Sequence, residues 1–273
     1  MQTTNPWAIS VLIRTFNSQR TLGQVMDKLK LAEGDEFIAV DSGSTDSTLA
    51  IAAAHGAQIV PAPGPFNYSK SLNLGFRAAR NPWVLVISSH SIPLVPDLLA
   101  VFRAVARDLP PRVVAAYGSS TIDGSGFPGG DKVSHYTREN YEEAYYCCSN
   151  ANTLYRRSIW EEIPFDETIR TSEDRLWLME MLKQDYAFCL VPAARALNKN
   201  QYSLRYMFLK GHSDTRAVPH QPQSLRDLAL GLGSLTNSFL KGGMPVGNWT
   251  RCSAHVFGRY FGSFEKYDNT PGK

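Results

Sequence analysis

The stretch WVLVISSHSIP, residues 83–93, decides the architecture. Val84, Leu85, Val86 and Ile87 form an unbroken apolar run without polar alternation, the pattern of a strand buried on both faces in a parallel sheet covered by helices. Ser88, Ser89, His90 and Ser91 follow as a polar tip at the strand's C-terminal end, where open α/β sheets place their ligands. The tip offers hydroxyls and an imidazole but no carboxylate. Read alone, it is equally a polar turn whose histidine is satisfied locally.

Upstream of it the chain alternates strand and helix. Residues 8–14 (AISVLIR) read as a first buried strand, with Thr15, Phe16 and Asn17 as its polar exit. Residues 20–31 carry Leu22, Val25, Met26 and Leu29 at helical spacing. A second strand, residues 37–40, runs into DSGSTDST, residues 41–48, where Ser44 is positioned to cap a helix through His55. Residues 58–60 form a short third strand, and after the Pro/Gly-rich residues 61–65 comes a helix over 68–79. This order predicts right-handed βαβ crossovers: an α/β fold with a mostly parallel central sheet flanked by helices. Residues 1–200 form the predicted core domain and 201–273 a helical extension packed on it.

Composition agrees with a globular chain: 273 residues, 43% hydrophobic and 19% charged, with apolar runs too short to span a bilayer. No signal peptide is read at residues 1–6, which predicts a cytoplasmic protein. Cys147, Cys148, Cys189 and Cys252 match neither a zinc spacing nor a disulfide framework, so reduced thiols are expected. The net charge of +3 is uneven. From Arg195 onward there are 11 Lys and Arg against 4 Asp and Glu, of chain totals of 28 and 25. That basic part is either a solvated face or a surface for anionic lipid or a phosphate-bearing acceptor. Nothing in the pattern suggests a nucleic-acid partner.

Asp41 ends a strand, where a carboxylate can accept from a base imide or a ribose hydroxyl, and the Ser/Gly turn after it lets backbone come close. The same turn could simply be a capped helix start. Neither G-x-G-x-x-G nor G-x-x-x-x-G-K-[ST] is present, so phosphates must be held in another way.

Taken together and in order, SVLIRTFN, VDSGSTDST, FNYSKSLNLGFRAA, the strand ending in a polar triplet with Pro93 five residues after its first member, SNANTLYRRSIWEEIPFDE and TSEDRLW resemble inverting family 2 glycosyltransferases of the GT-A fold. The resemblance covers roughly residues 9–206 and is greatest to the bacterial polysaccharide branch, rhamnosyltransferase-like, that builds capsule, O-antigen or exopolysaccharide. It implies transfer of a sugar from a UDP-, GDP- or dTDP-linked donor to a saccharide or lipid-linked saccharide acceptor. It places Thr15, Phe16, Asn17, Asp41, Ser42, Gly43, Lys70, Asn73, Ser88 and Ser89 around the nucleotide. The family's D-x-D triplet aligns with Ser88-Ser89-His90, so His90 stands where an acidic residue normally grips the metal on the diphosphate. Imidazole ligates Mn²⁺ but suits Mg²⁺ poorly. A second departure is Asn198-Lys199-Asn200 in place of a histidine-containing segment. Lys199 can supply positive charge directly, so diphosphate stabilisation by Lys199 with His90 as donor or single metal ligand is expected beside the Mn²⁺ or Mg²⁺ reading.

The acceptor side follows. After a strand over 112–117, residues 118–131 read as a Gly/Ser-rich loop able to close over substrate, or merely slack. Residues 149–155 form another strand, whose Asn150 and Asn152 can hydrogen-bond sugar hydroxyls. Ser172 reads as the N-cap of a helix through Leu182 that opens with Glu173 and Asp174. These carboxylates either complement the helix dipole or, as the resemblance implies, serve catalysis, Asp174 as general base and Glu173 as its positioning partner. Arg175 and Trp177 complete the expected acceptor side, the indole packing a sugar face or the core. From residue 202 the chain reads as two or three amphipathic helices, with Leu225, Leu228, Leu232, Leu235 and Phe239 as their core face. They leave open peripheral contact with a cytoplasmic membrane or a homodimer. A nucleotide-sugar-binding or scaffold protein without turnover is the alternative that the missing D-x-D carboxylates raise.

Overall fold

In a computed structural model of the chain, the residues described are 5–121, 132–144, 147–169, 171–199, 203–216, 222–240 and 246–264. They divide into two compact units: Met1–Glu167 with Asp174–Lys199, and Thr168–Glu173 with Asn200–Lys273.

The first unit is built on a mixed sheet in the order β3-β2-β1-β4-β8-β6-β9-β5, with β7 paired to β9. Its strands are β1 (Ile9–Thr15), β2 (Glu36–Asp41), β3 (Gln58–Pro61), β4 (Trp83–Ser88), β5 (Ser91–Pro93), β6 (Val113–Thr121), β7 (Ser134–Tyr136), β8 (Asn152–Arg156) and β9 (Ala187–Asn198). Strands β3, β2, β1 and β4 are parallel, as the βαβ alternation predicts. Beyond them β8 inserts antiparallel between β4 and β6, and β9 returns parallel to β6. The helices are α1 (Leu22–Lys28), α2 (Thr48–Ala54), α3 (Tyr68–Ala78), α4 (Leu98–Asp108), α5 (Arg157–Glu162) and α6 (Glu173–Lys183).

The absence of polar alternation in β1 and β4 has the expected cause. Ile9, Val11, Ile13, Trp83, Leu85 and Ile87 bury one sheet face with Leu22 and Met26 of α1 and Phe102 of α4. Leu12, Val84 and Val86 bury the other with Phe76 of α3, Trp160 of α5 and Met181 of α6. Helix α3 lies close to the sheet because position 75 is glycine: a Cβ there would come within 2.6 Å of Leu12 Cγ and 3.0 Å of Val40 Cγ2.

Several expectations change in detail. Helix α1 is shorter than residues 20–31, and β8 begins at Asn152 instead of 149. Residues 118–121 of the expected loop belong to β6, and 122–131 lie outside the described residues. Ser44 does not cap α2: its hydroxyl is taken by Asp41, and Asp46 accepts from Thr48 N at 2.9 Å instead. Ser172 has φ +62°, outside the extended conformation of an N-cap residue.

In the second unit three helices are described, α7 (Leu204–Arg216), α8 (Leu225–Leu240) and α9 (Val246–Gly262). Helices α7 and α9 touch backbone to backbone, since a Cβ on Gly262 would lie 2.6 Å from the His212 carbonyl oxygen. Leu232 and Leu235 are half-buried, whereas Leu225, expected in the core face, is 72% exposed. No helix among the described residues is long and apolar enough to cross a membrane.

Candidate functional site

Parallel order brings the C-terminal ends of β1, β2 and β4 to one edge, and their exit loops are tied together there. Asp41, the last residue of β2, is buried. Its Oδ1 accepts from Thr15 Oγ1 at 2.8 Å and Ser44 Oγ at 2.5 Å, and its Oδ2 from Gly43 N at 2.9 Å and Ser44 N at 2.8 Å. Burial alone would raise its pKa, but the hydrogen bonds led by Ser44 outweigh it and hold the carboxyl below its ordinary value. Four donors fill the lone-pair sites of a carboxylate. Through these four bonds Asp41 organises the loop at the expected nucleotide position. Gly43, at φ +92°, makes that turn possible.

Asn17, itself at φ +47°, accepts from Thr45 N through Oδ1 at 2.9 Å and donates its N–H to Ser44 Oγ at 2.9 Å. Ser42 is half-buried and gives its N–H to Thr15 O at 3.0 Å. Phe16, by contrast, is 59% exposed at the mouth, the posture of a ring available for stacking. The Lys70 ammonium donates to Pro63 O at 2.9 Å and so pins the loop before α3.

The strand tip meets the same loops. Ser89 Oγ lies 2.9 Å from Ser18 Oγ, and Ser88 N donates to Ala151 O at 3.1 Å. His90 O accepts from Lys199 N at 2.9 Å, so the two positions expected to handle diphosphate are joined through backbone, next to the pairing of Ser91 with Asn198. The exposed Lys199 ammonium reaches Gln24 Oε1 on α1 at 3.1 Å. The His90 pKa is lowered to about 4, first by burial and then by the positive charge of Arg14.

Sequence reading missed Arg14. Its guanidinium carbon lies 4.9 Å from the centroid of the Tyr68 ring, and its charge acts on His90. The readable signal was a cation closing an otherwise apolar strand.

On the acceptor side Asp174 is half-buried in the first turn of α6. Its Oδ2 accepts from Asn150 N at 2.9 Å and its Oδ1 from Arg175 N at 2.8 Å. Asn150 Oδ1 accepts from Tyr155 OH at 2.6 Å. Asn150, bonded to Asp174, and Ala151, bonded to Ser88 N, are consecutive residues, so this segment ties Asp174 to the β4 tip. Glu173 is 5% exposed. Arg175 is half-buried, its charge acting on Cys147 and Cys148 against the upward push of burial.

Three expected site residues are buried and bonded within the protein. Asn73, 2% exposed, donates to Phe165 O at 2.8 Å and Glu167 Oε1 at 2.9 Å and accepts from Trp160 Nε1 at 2.9 Å and Phe165 N at 3.1 Å. Both donor and both acceptor positions of its amide are thus used within the protein. Trp177 is 4% exposed, donates to Ile163 O at 2.6 Å, and packs against Tyr155 and Phe165. Asn152 is fully buried and donates to Ser119 O and Ala194 O, carbonyls beside the irregularity between β6 and β9. The Asn152 Oδ1 is buried with no hydrogen-bond partner among the described residues.

With Asp41, the Ser88–His90 tip and Asp174 at one end of a parallel half-sheet, the decisive comparison is the family model. Glycosyl transferase family 2 matches residues 10–163, more than half of the chain. The chain belongs to glycosyl transferase family 2. Uncharacterized glycosyltransferases of Mycobacterium bovis and Mycobacterium tuberculosis are each 35% identical over 91 residues, 33% of this chain and 40% of theirs. The chain thus spans less than half the length of the curated relatives it matches.

Solved family-type folds agree with the architecture. Residues 1–349 of S. aureus TarS in complex with UDP are 16% identical, with a TM-score of 0.59 over 94% of this chain and 90% of that one. The mannosyltransferase PcManGT of Pyrobaculum calidifontis, in complex with GDP-Man and Mn²⁺, gives 14% and 0.56 over 92% and 69%. Glucosyl-3-phosphoglycerate synthase of Mycobacterium tuberculosis, with Mn²⁺, UDP and product, gives 21% and 0.54 over 71% and 73%. The GT-A architecture, a central α/β sheet flanked by helices, is the one observed here.

The PcManGT and glucosyl-3-phosphoglycerate synthase structures are complexes with Mn²⁺, and the strand tip here can be tested for such an ion. Ser88 and Ser89 supply neutral hydroxyls, and His90 sits under the positive charge of Arg14. Among the described residues there is no group of three His, Cys, Asp or Glu able to hold a metal. Two hydroxyls and an imidazole next to a cation, with no carboxylate at residues 88–90, are a poor donor set for Mg²⁺, which prefers oxygen, and a weak one for Mn²⁺.

Proposed function

We propose that this family 2 member is an inverting glycosyltransferase that moves a sugar from a nucleoside-diphosphate donor to a hydroxyl of a saccharide or lipid-linked saccharide, in bacterial surface polysaccharide synthesis. The observation that carries the reading is Asp174: a carboxylate fixed by two backbone N–H groups, Asn150 and Arg175, beside the strand tip. Those bonds fix the direction of the carboxyl group, as a general base that must meet one hydroxyl requires. In the reaction Asp174 takes the acceptor hydroxyl's proton while that oxygen attacks the anomeric carbon. The bond from that carbon to the diphosphate breaks on the opposite side, and the electron pair leaves with the nucleoside diphosphate. Positive charge from Arg14 and Lys199, and an N–H from neutral His90, receive the leaving group. Phe16 stacks the base, with Thr15, Asn17, Ser42, Gly43, Lys70, Ser88 and Ser89 around the nucleotide, and Asp41 holds that loop in shape. Glu173, Asn150 and Arg175 position the acceptor side.

We further place the protein in the cytoplasm, with exposed Leu225, Leu230 and Leu240 of α8 and the basic C-terminal part as the surface for a membrane face or a second copy. A second reading, nucleotide-sugar binding without turnover, is favoured by the lack of carboxylates at residues 88–90. Release of nucleoside diphosphate from a panel of UDP-, GDP- and dTDP-sugars, with mixed saccharide acceptors, separates the two. Asp174→Asn should lower release about 10²- to 10⁴-fold with nucleotide affinity unchanged. Full release by the variant would overturn Asp174 as base, and nucleotide binding without release by the unsubstituted protein would favour the second reading.

A further inference from the structure

The opposite end of the sheet, where β1 and β4 begin and β8 ends, holds a cavity of about 580 Å³. Trp7, Arg80, Trp83, Arg156, Arg157 and Glu161 are among its lining residues. Three guanidiniums thus face one space with one carboxylate of its own. Arg80 is already satisfied by Glu36, with Nη2 to Oε2 at 2.7 Å. Arg157 Nη2 pairs with Glu161 Oε1 at 2.9 Å, but its Nε is buried and has no hydrogen-bond partner among the described residues.

Arg156 is the more unusual. Its guanidinium carbon sits 4.5 Å from the centroid of Trp83, and its Nε and Nη2 lie 3.5 Å from Val113 O and 3.4 Å from Pro110 O. Those carbonyl contacts are long, and no carboxylate pairs with it among the described residues. Burial works against its charge, yet a guanidinium stays protonated far above neutrality. A desolvated cation without a counter-ion is costly, and an arriving anion would relieve that cost. Arg156 and Arg157 both line the cavity, and guanidinium donors not held by Val113 O, Pro110 O or Glu161 suit the oxygens of a carboxylate or phosphate.

We propose that this cavity binds a small soluble molecule carrying a carboxylate or phosphate, with the anionic group bridging Arg156 and Arg157 and its remaining body against the indole of Trp7. The volume suits such a ligand, lying within the roughly 300–1,000 Å³ usual for small-molecule sites. Five residue steps of β4 separate Trp83 from Ser88, about 17 Å at the rise of a strand, so this ligand is distinct from the diphosphate of a sugar donor.

The test is a titration of the full chain, ¹⁵N-labelled, with inorganic phosphate and separately with glucuronate at constant ionic strength, following the Arg157 Nε–H and Trp7 indole N–H resonances. The expected result is a saturable shift of both with at least one probe. Arg156→Gln and Arg157→Gln should each weaken it about tenfold or more, with nucleotide affinity unchanged. Arg157 does not stack on Trp83, so its variant carries the test if Arg156→Gln fails to fold. No saturable shift with either probe, affinity unaltered in a folded Arg157→Gln, or a response to phosphatidylglycerol vesicles alone would overturn the proposal.

Discussion

Substituting His90 by glutamine should make the protein less sensitive to acid. The folded pKa of this imidazole is about 4, against an ordinary 6.5. Between those values the unfolded chain binds a proton that the folded chain refuses, so stability rises with pH across the window. The contribution is fully present above about pH 6.5 and is lost as pH falls toward 4. At about 1.4 kcal/mol per unit, the group costs the unsubstituted protein about 2 kcal/mol between pH 7 and pH 4.5. Glutamine keeps most of the volume and polarity but cannot titrate. Urea unfolding of both proteins at pH 7.0 and 4.5 isolates the effect, because all other groups are common to both. His55, for one, is raised by its hydrogen bond to Asp27, so its stabilisation is lost as pH climbs through its folded value, in both proteins alike. The expected difference is a fall in stability smaller by about 2 kcal/mol in His90→Gln. Equal falls would refute the lowered His90 pKa next to the charge of Arg14.

Arg14→Met keeps an unbranched side chain and removes the charge. It should raise the His90 pKa, read by NMR, and weaken nucleoside-diphosphate binding by about 10- to 100-fold in calorimetry while nucleoside binding changes little. Gly75→Ala drives a methyl group into Leu12 and should cost about 1–3 kcal/mol in urea unfolding without altering nucleotide affinity in the folded fraction. Asn73→Ala leaves Trp160 Nε1 and Phe165 N buried without their acceptor and should cost about 2–4 kcal/mol. Undiminished stability with lost nucleotide binding would restore Asn73 to the site.

How much could be read in advance depended on what each residue needed as a partner. Strands β1 and β4 declared themselves because both faces are buried, so apolar residues run through their middles, from Val11 to Ile13 and from Trp83 to Ile87, without alternation. Strand β9 did not. Pro192 and Arg195 break its pattern, and its pairing with β6 jumps from Val191 to Arg195, an irregularity that tolerates a proline. Strands β5 and β7, of three residues each, are too short to show a period. Helix α4 was legible but overlooked: Asp97 precedes an amphipathic run and accepts from Ala100 N at 2.8 Å.

The candidate site followed the same logic. Asp41 and the Ser88–His90 tip lie at strand ends, which topology alone brings to one edge. The partners that hold Asn73, Asn152 and Trp177, namely Phe165 and Glu167, Ala194, and Ile163, could not be read in advance because tertiary packing settles them, although the core was one of the two places open to the Trp177 indole. An amide beside a ligand and an amide mending a buried backbone gap are the same letter. Arg14 carried a signal, a cation at the end of a buried strand, whose meaning depended on finding Tyr68 and His90 around it.

The most direct test of nucleotide-sugar use at this site is a calorimetric titration of the full chain with UDP, GDP and dTDP, each in EDTA and then with Mn²⁺. Guanidinium and ammonium groups handling the diphosphate predict that one nucleotide binds with the same affinity in both conditions. Binding that appears only with Mn²⁺ would contradict the charge assignment to Arg14 and Lys199, and no binding of any nucleotide would contradict the donor reading itself.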